Sequence, residues 1–297
     1  MILVLGQTGY IGTQFINELN NRNLSYEGIS RVNINYCNFS DLYSYLTTGS
    51  CLGPARYDLI INCAGYVGKP NVDACEDHKA ETIEGNVVLP KTISNVCREA
   101  GVKFMHISSG CIYDGYDKEF TEEDPPNFSF KQNNCSFYSG SKALAEDLID
   151  KDNSYICRLR IPFDEFDNSR NYISKLKNYD KLLNVKNSIS HRGDFVKACL
   201  DLYLNNCPTG IYNIVNSGHV TTEQVARLMS KYNIRNDFNF FSNEKTFYEF
   251  GAKAPRSNCL LDNSKLSLVG VQIRDVNEAL EEALFNWVYK EGNSPIE

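Results

Sequence analysis

Glycines at positions 6, 9 and 12 constrain the fold of this 297-residue chain more than any other feature. They stand in Gly6-Gln7-Thr8-Gly9-Tyr10-Ile11-Gly12, directly after the apolar run Ile2-Leu3-Val4-Leu5. Apolar residues at helical spacing follow, predicting a helix over 12–21. A strand, a sharp turn and a helix in that order need backbone positions without a Cβ. The helix start then presents free N–H groups and the positive end of its dipole to an anion. This context predicts a parallel α/β sheet that holds a dinucleotide pyrophosphate at its first crossover, with Gly6, Thr8, Gly9, Tyr10, Ile11 and Gly12 lining it.

The N-terminal half continues the pattern. Strands are predicted at 24–30, 57–63, 102–108 and 155–160, with helices at 82–100 and 136–150. Such alternation means βαβ units and a Rossmann-type doubly wound parallel sheet. The segment 115–135 is rich in Pro, Asn, Asp and Glu and reads as a long loop over the ligand end of the sheet. After Pro162 the pattern loosens. Helices are predicted at 171–183, 195–204, 221–232 and 276–289, and 210–215 reads as a returning strand. The expected division is a cofactor-binding domain over 1–162, rejoined by segments near 190–216, and a smaller, mainly substrate-binding lobe over 163–297.

A formal net charge of -7 argues against non-specific nucleic-acid binding, which needs a basic surface. No apolar run approaches the ~20 residues of a membrane span, and the first residues run straight into the glycine loop. No membrane span and no targeting segment are expected. The 11 cysteines are scattered, without a CxxC pair or a His/Cys cluster at zinc spacing. Free thiols in a reducing cytoplasm are therefore expected, and no metal site.

The second strand ends Gly28-Ile29-Ser30-Arg31. An acidic residue there would suit the adenine ribose of NAD. Arg31 suits a 2′-phosphate, so NADPH is the expected cofactor; a solvated surface arginine is the bland alternative. Small residues after the third strand, Ala64 and Gly65 in Asn62-Cys63-Ala64-Gly65, allow the dinucleotide close to the backbone.

Tyr138 and Lys142 form YxxxK, four residues apart on a predicted helix and so on one face. A lysine charge favours tyrosinate, which makes Tyr138 a usable proton donor to a nascent alkoxide. Ser109 ends the fourth strand, where its hydroxyl can bind a substrate carbonyl.

Together these motifs resemble the extended short-chain dehydrogenase/reductases. Longer blocks carry a closer resemblance: Gly110-Cys111-Ile112-Tyr113, Glu122 to Phe128 (EEDPPNF), Ser136-Phe137-Tyr138-Ser139, Arg170 to Lys175 (RNYISK) and Ala254-Pro255-Arg256-Ser257-Asn258. They are similar to the bifunctional nucleotide-rhamnose synthases, 3,5-epimerase/4-keto-reductases known best from plants. The loop 115–121 is shorter than in the plant enzymes, and the segment His191-Arg192-Gly193-Asp194 departs from them.

The resemblance implies the substrate UDP-4-keto-6-deoxyglucose, or its dTDP form, and a nucleotide-L-rhamnose product. It implies Cys111 and Lys175 as the acid–base pair for epimerisation, and Ser109, Tyr138 and Lys142 for NADPH-dependent reduction. Asn171 and Arg256 are implied at the substrate, Arg256 as a diphosphate ligand. A packing role for Cys111, a surface position for Lys175 and a lobe-anchoring ion pair for Arg256 stay open. A homodimer through the helices at 82–100 and 136–150 is implied, with a 4,6-dehydratase upstream as a separate chain. The rival readings are a monofunctional dTDP-4-keto-rhamnose reductase and a non-catalytic NADP-binding regulatory subunit.

Overall fold

The computed structural model describes residues 1–30, 32–47 and 57–288; Arg31 lies outside them. Six strands form one parallel sheet: β1 (Ile2–Leu5), β2 (Tyr26–Ile29), β3 (Leu59–Asn62), β4 (Lys103–Ser109), β5 (Ser154–Leu159) and β6 (Gly210–Asn213). Their order across the sheet is β2-β1-β3-β4-β5-β6. The chain leaves β1 for β2 and then crosses back to β3 on the other side of β1. That reversal opens a crevice at the carboxyl ends of β1 and β3, where ligands bind in such sheets.

Side chains alternate between the two faces with the strand period. Ile2, Val4, Leu59, Ile61, Met105 and Cys157 pack against the helices Tyr10–Asn21 and Arg192–Leu204. Leu3, Leu5, Ile60, Phe104 and Ile156 pack against Phe39–Thr47 and Leu89–Ala100 on the other face. The sheet is thus doubly wound, as expected. A third apolar cluster, with Phe163, Ile173, Leu176, Val225, Met229, Val276 and Leu280, forms the core of the C-terminal part. Among the described residues no helix is long and apolar enough to cross a membrane.

Three expectations are corrected. Part of the loop at 115–135 is a strand, Gly115–Phe120, paired in parallel with Cys259–Leu261. Four of its six residues are exposed, so no apolar alternation marks it. The helix expected over 171–183 is Tyr172–Asn178. It stops because Tyr179 turns extended and the Arg235 guanidinium takes the carbonyls of Leu176, Lys177 and Tyr179 at 3.0, 3.1 and 2.6 Å. The last helix is Val276–Phe285, shorter than 276–289.

Candidate active site

The glycine loop is as tight as its sequence requires. Gly6 has φ +77°, and a Cβ there would lie 2.9 Å from the Ala64 backbone nitrogen. At Gly12 a Cβ would lie 2.1 Å from the Gly6 carbonyl oxygen. Gly9 starts the helix with no side chain capping its N–H groups, which leaves them to an anion. Thr8 and Gly9 are exposed, while Ile11 packs into the core beneath. A Cβ on Gly65 would meet Asn86 Oδ1 at 3.1 Å. The cradle thus fits a dinucleotide: bare N–H groups on one wall, and on the other a backbone too close for side chains. Tyr10 is turned elsewhere. Its ring lies under the Arg192 guanidinium, 4.4 Å from the centroid, and Arg192 Nη1 donates to the Tyr10 carbonyl at 2.9 Å.

Tyr138 and Lys142 occupy the first turns of the helix Phe137–Leu148, whose start is capped by Ser136 Oγ accepting from the Ser139 N–H at 3.1 Å. Burial pushes the Tyr138 phenol up, and the nearby Cys111 adds to this. A hydrogen bond with the Ser109 hydroxyl and the charge of Arg170 oppose the rise. Burial pulls the Lys142 ammonium down to about 8, against the charges of Glu146 and Cys111. Lys142 Nζ donates to the Ile107 carbonyl at 3.0 Å.

Cys111 lies in the turn after β4, its N–H donating to Ser109 Oγ at 3.2 Å. Its Sγ accepts from Arg160 Nη1 at 3.6 Å. Arg160 is wholly buried and also donates to the carbonyls of Gly110 and Ser257 at 3.2 and 3.0 Å. Lys175 comes from the short helix Tyr172–Asn178. Burial lowers its ammonium, Arg170 and Arg256 lower it further, and Cys111 holds it up. Cys111 thus acts electrostatically on Tyr138, Lys142 and Lys175 alike, although Lys175 comes from the C-terminal part.

Two expected substrate contacts have other work. Asn171 is fully buried and caps the helix Tyr172–Asn178, its Oδ1 accepting from the Ile173 N–H at 2.9 Å. Its Nδ2 donates to the Asp164 and Phe166 carbonyls, both at 2.8 Å. The amide nitrogen and one lone pair of the amide oxygen of Asn171 are spent on ordering the segment before Lys175. Arg256 is held by Asp73, the lobe-anchoring arrangement.

Sequence reasoning missed Arg160, Asp73, Asn86 and Arg170. Asn86 sits in a π turn, Glu84–Val88, that interrupts the long helix. Its amide clamps Tyr66, accepting from the N–H and donating to the carbonyl at 2.8 Å each. Arg170 donates to the Gly68 carbonyl at 3.0 Å and acts on both Tyr138 and Lys175. Its place in the block around Lys175 was the one available signal.

The family model described as "RmlD substrate binding domain" matches residues 1–288. A bifunctional dTDP-4-dehydrorhamnose 3,5-epimerase/dTDP-4-dehydrorhamnose reductase of Arabidopsis thaliana is 32% identical over 299 residues, covering 95% of this chain and 92% of the relative. A trifunctional UDP-glucose 4,6-dehydratase/UDP-4-keto-6-deoxy-D-glucose 3,5-epimerase/UDP-4-keto-L-rhamnose-reductase of the same plant is 33% identical over 94% of this chain, which spans only 40% of that protein. Among solved structures, the L780 UDP-rhamnose synthase of Acanthamoeba polyphaga mimivirus superposes with a TM-score of 0.84 at 22% identity, covering 96% of this chain and 98% of that one. A dTDP-4-dehydrorhamnose reductase of Bacillus anthracis, solved in complex with NADP, gives 0.75 at 19% identity over 95% and 96% of the two chains. With a model match over almost its whole length and a full-length relative at this identity, the chain belongs to the RmlD substrate-binding-domain family.

Proposed function

We propose that this chain converts UDP-4-keto-6-deoxy-D-glucose to UDP-L-rhamnose, inverting C3 and C5 and then reducing C4 with NADPH. The relatives support NAD(P)-dependent reduction of a nucleotide-linked 4-keto sugar. What supports the epimerase half is the electrostatic coupling of Cys111 to Lys175, and of the same Cys111 to Tyr138 and Lys142.

A 4-keto group acidifies the C–H bonds at C3 and C5. Inversion needs a base to take the proton from one face and an acid to return one to the other. Cys111 and Lys175 supply that pair, one from the turn after β4 and one from the helix Tyr172–Asn178. Burial of Lys175 eases loss of its proton. When bound, NADPH supplies the hydride that C4 accepts. Ser109 holds the carbonyl oxygen, Tyr138 gives it a proton, and the Lys142 ammonium eases that transfer. The glycine loop and the backbone of Ala64 and Gly65 hold the dinucleotide. The keto sugar itself comes from a 4,6-dehydratase acting upstream.

The test incubates the protein with UDP-4-keto-6-deoxy-D-glucose and NADPH in D2O and reads the product by NMR. UDP-L-rhamnose carrying deuterium at C3 and C5, with one NADPH oxidised per product, is expected. NADPH oxidation only with substrate already inverted at C3 and C5 would leave a plain reductase. An unchanged sugar would sink both halves.

A further inference from the structure

We infer that the buried pair Asn62–His106 sets the protonation of Lys142, and so the pH range over which Tyr138 can protonate a substrate oxygen. The second clause rests on the reading of Tyr138 and Lys142 as the reducing pair. Neither Asn62 nor His106 takes part in the chemistry above.

Asn62 and His106 stand directly opposite each other on the parallel strands β3 and β4. They are 0% and 1% exposed. The Ala64 N–H donates to Asn62 Oδ1 at 3.0 Å, which fixes the amide's orientation. The other way round, an NH2 would face an N–H. Asn62 Nδ2 therefore faces His106 Nδ1, at 3.3 Å. An amide nitrogen can only donate, so Nδ1 accepts and the ring proton sits on Nε2. That Nε2 lies 3.4 Å from Lys142 Nζ.

An Nε2–H there can donate to the lone pair of a neutral amine. An ammonium it meets donor to donor. Protonating the ring would add a second N–H and leave this one in place, and burial with the charge of Lys142 pushes its pKa well below the usual histidine range. The charges of Glu146 and Cys111 favour the ammonium, but among the described residues neither accepts a hydrogen bond from it. Glu146, one turn along the same helix, is taken by Arg158, with Nη2–Oε2 at 2.8 Å and both side chains buried, and by the Ser108 hydroxyl. Cys111, from the end of β4, and Tyr138, one turn back, complete the titratable neighbours, with Arg170 and Lys175 beyond them. Among the described residues no carboxylate forms an ion pair with Lys142, and its one carbonyl acceptor is Ile107. The strand pair thus holds a polar N–H against the lysine where an acceptor would stabilise its charge.

Burial and the facing N–H predict opposite responses to an apolar replacement of His106. Were burial alone responsible for the easy discharge of Lys142, His106→Phe would leave it unchanged or make discharge easier. With the N–H responsible, discharge becomes harder. His106→Met serves as a second variant should the phenyl ring not pack.

The titration of Lys142 is read by NMR of the lysine Cε–Hε signals in 13C-lysine-labelled full chain without substrate, assigned with Lys142→Met. The expected result is an upward shift of about one pH unit in either variant, a tenfold change in proton affinity. An unchanged or lowered midpoint in the folded variants overturns the inference. The alkaline limb of NADPH oxidation should move up with it. If the Lys142 midpoint moves and that limb does not, the control of Lys142 stands and the reducing-pair reading fails instead.

Discussion

Arg256 grips Asp73 with both arms of its guanidinium, Nη1 to Oδ1 and Nη2 to Oδ2, each at 2.7 Å. Burial works to raise the Asp73 carboxyl, but Arg256 and the backbone N–H groups of Ala254 and Lys253 outweigh it and hold the group below its ordinary value. The contact ties the C-terminal segment to the stretch after β3. If tying is its role, Asp73→Asn and Arg256→Met should raise KM for the nucleotide sugar alike, about tenfold. The double variant should be little worse than either, the mark of a coupling of ~1 kcal/mol. A rise in KM confined to Arg256→Met would show that the arginine holds the diphosphate directly.

The two half-reactions should separate cleanly. Cys111→Ala is expected to stop deuterium uptake at C3 and C5 of the keto sugar while sparing reduction of a pre-inverted substrate. Tyr138→Phe should do the reverse, with exchange persisting and NADPH oxidation falling by at least about 100-fold. Normal epimerisation by the alanine variant would remove Cys111 from the chemistry.

Asn171→Ala should cost about 1–2 kcal/mol of stability, the loss of a helix cap whose amide also holds two carbonyls. Urea unfolding reads this as a lower midpoint at unchanged slope. An unaltered midpoint with a tenfold rise in KM would instead return Asn171 to the substrate.

Acid stability carries a signature of Asp194. Burial raises its carboxyl, but the hydrogen bond and charge of His191, with Arg274 Nε at 2.6 Å, outweigh this and bring it to about 2, against 3.8 ordinarily. A depressed carboxyl stabilises the fold above its unfolded value and loses that contribution as pH falls through the folded one. About 2 kcal/mol should therefore disappear between roughly pH 4 and pH 2. Thermal melts of Asp194→Asn should show a shallower decline over that window. His191 carries the opposite sense. Burial lowers its imidazolium, but Asp194 and Glu165 outweigh this and raise it, so its share is full at low pH and fades as pH rises past its folded value.

What the amino-acid sequence determined by itself was whatever repeats over a few residues. Apolar runs placed β1 to β6, the glycine spacing placed the first crossover, and four-residue spacing put Tyr138 and Lys142 on one helical face. Residues far apart in the chain were decided only by the tertiary structure. Arg235 ends a helix more than fifty residues earlier, and Asp73 captures Arg256 across 183 positions. Gly115–Phe120 becomes a strand only because Cys259–Leu261 lies beside it. The tautomer of His106 follows from its register with Asn62 on the neighbouring strand. Local periodicity is written in neighbouring side chains. Partners brought together by sheet pairing and lobe docking are chosen by packing, which no local spacing encodes.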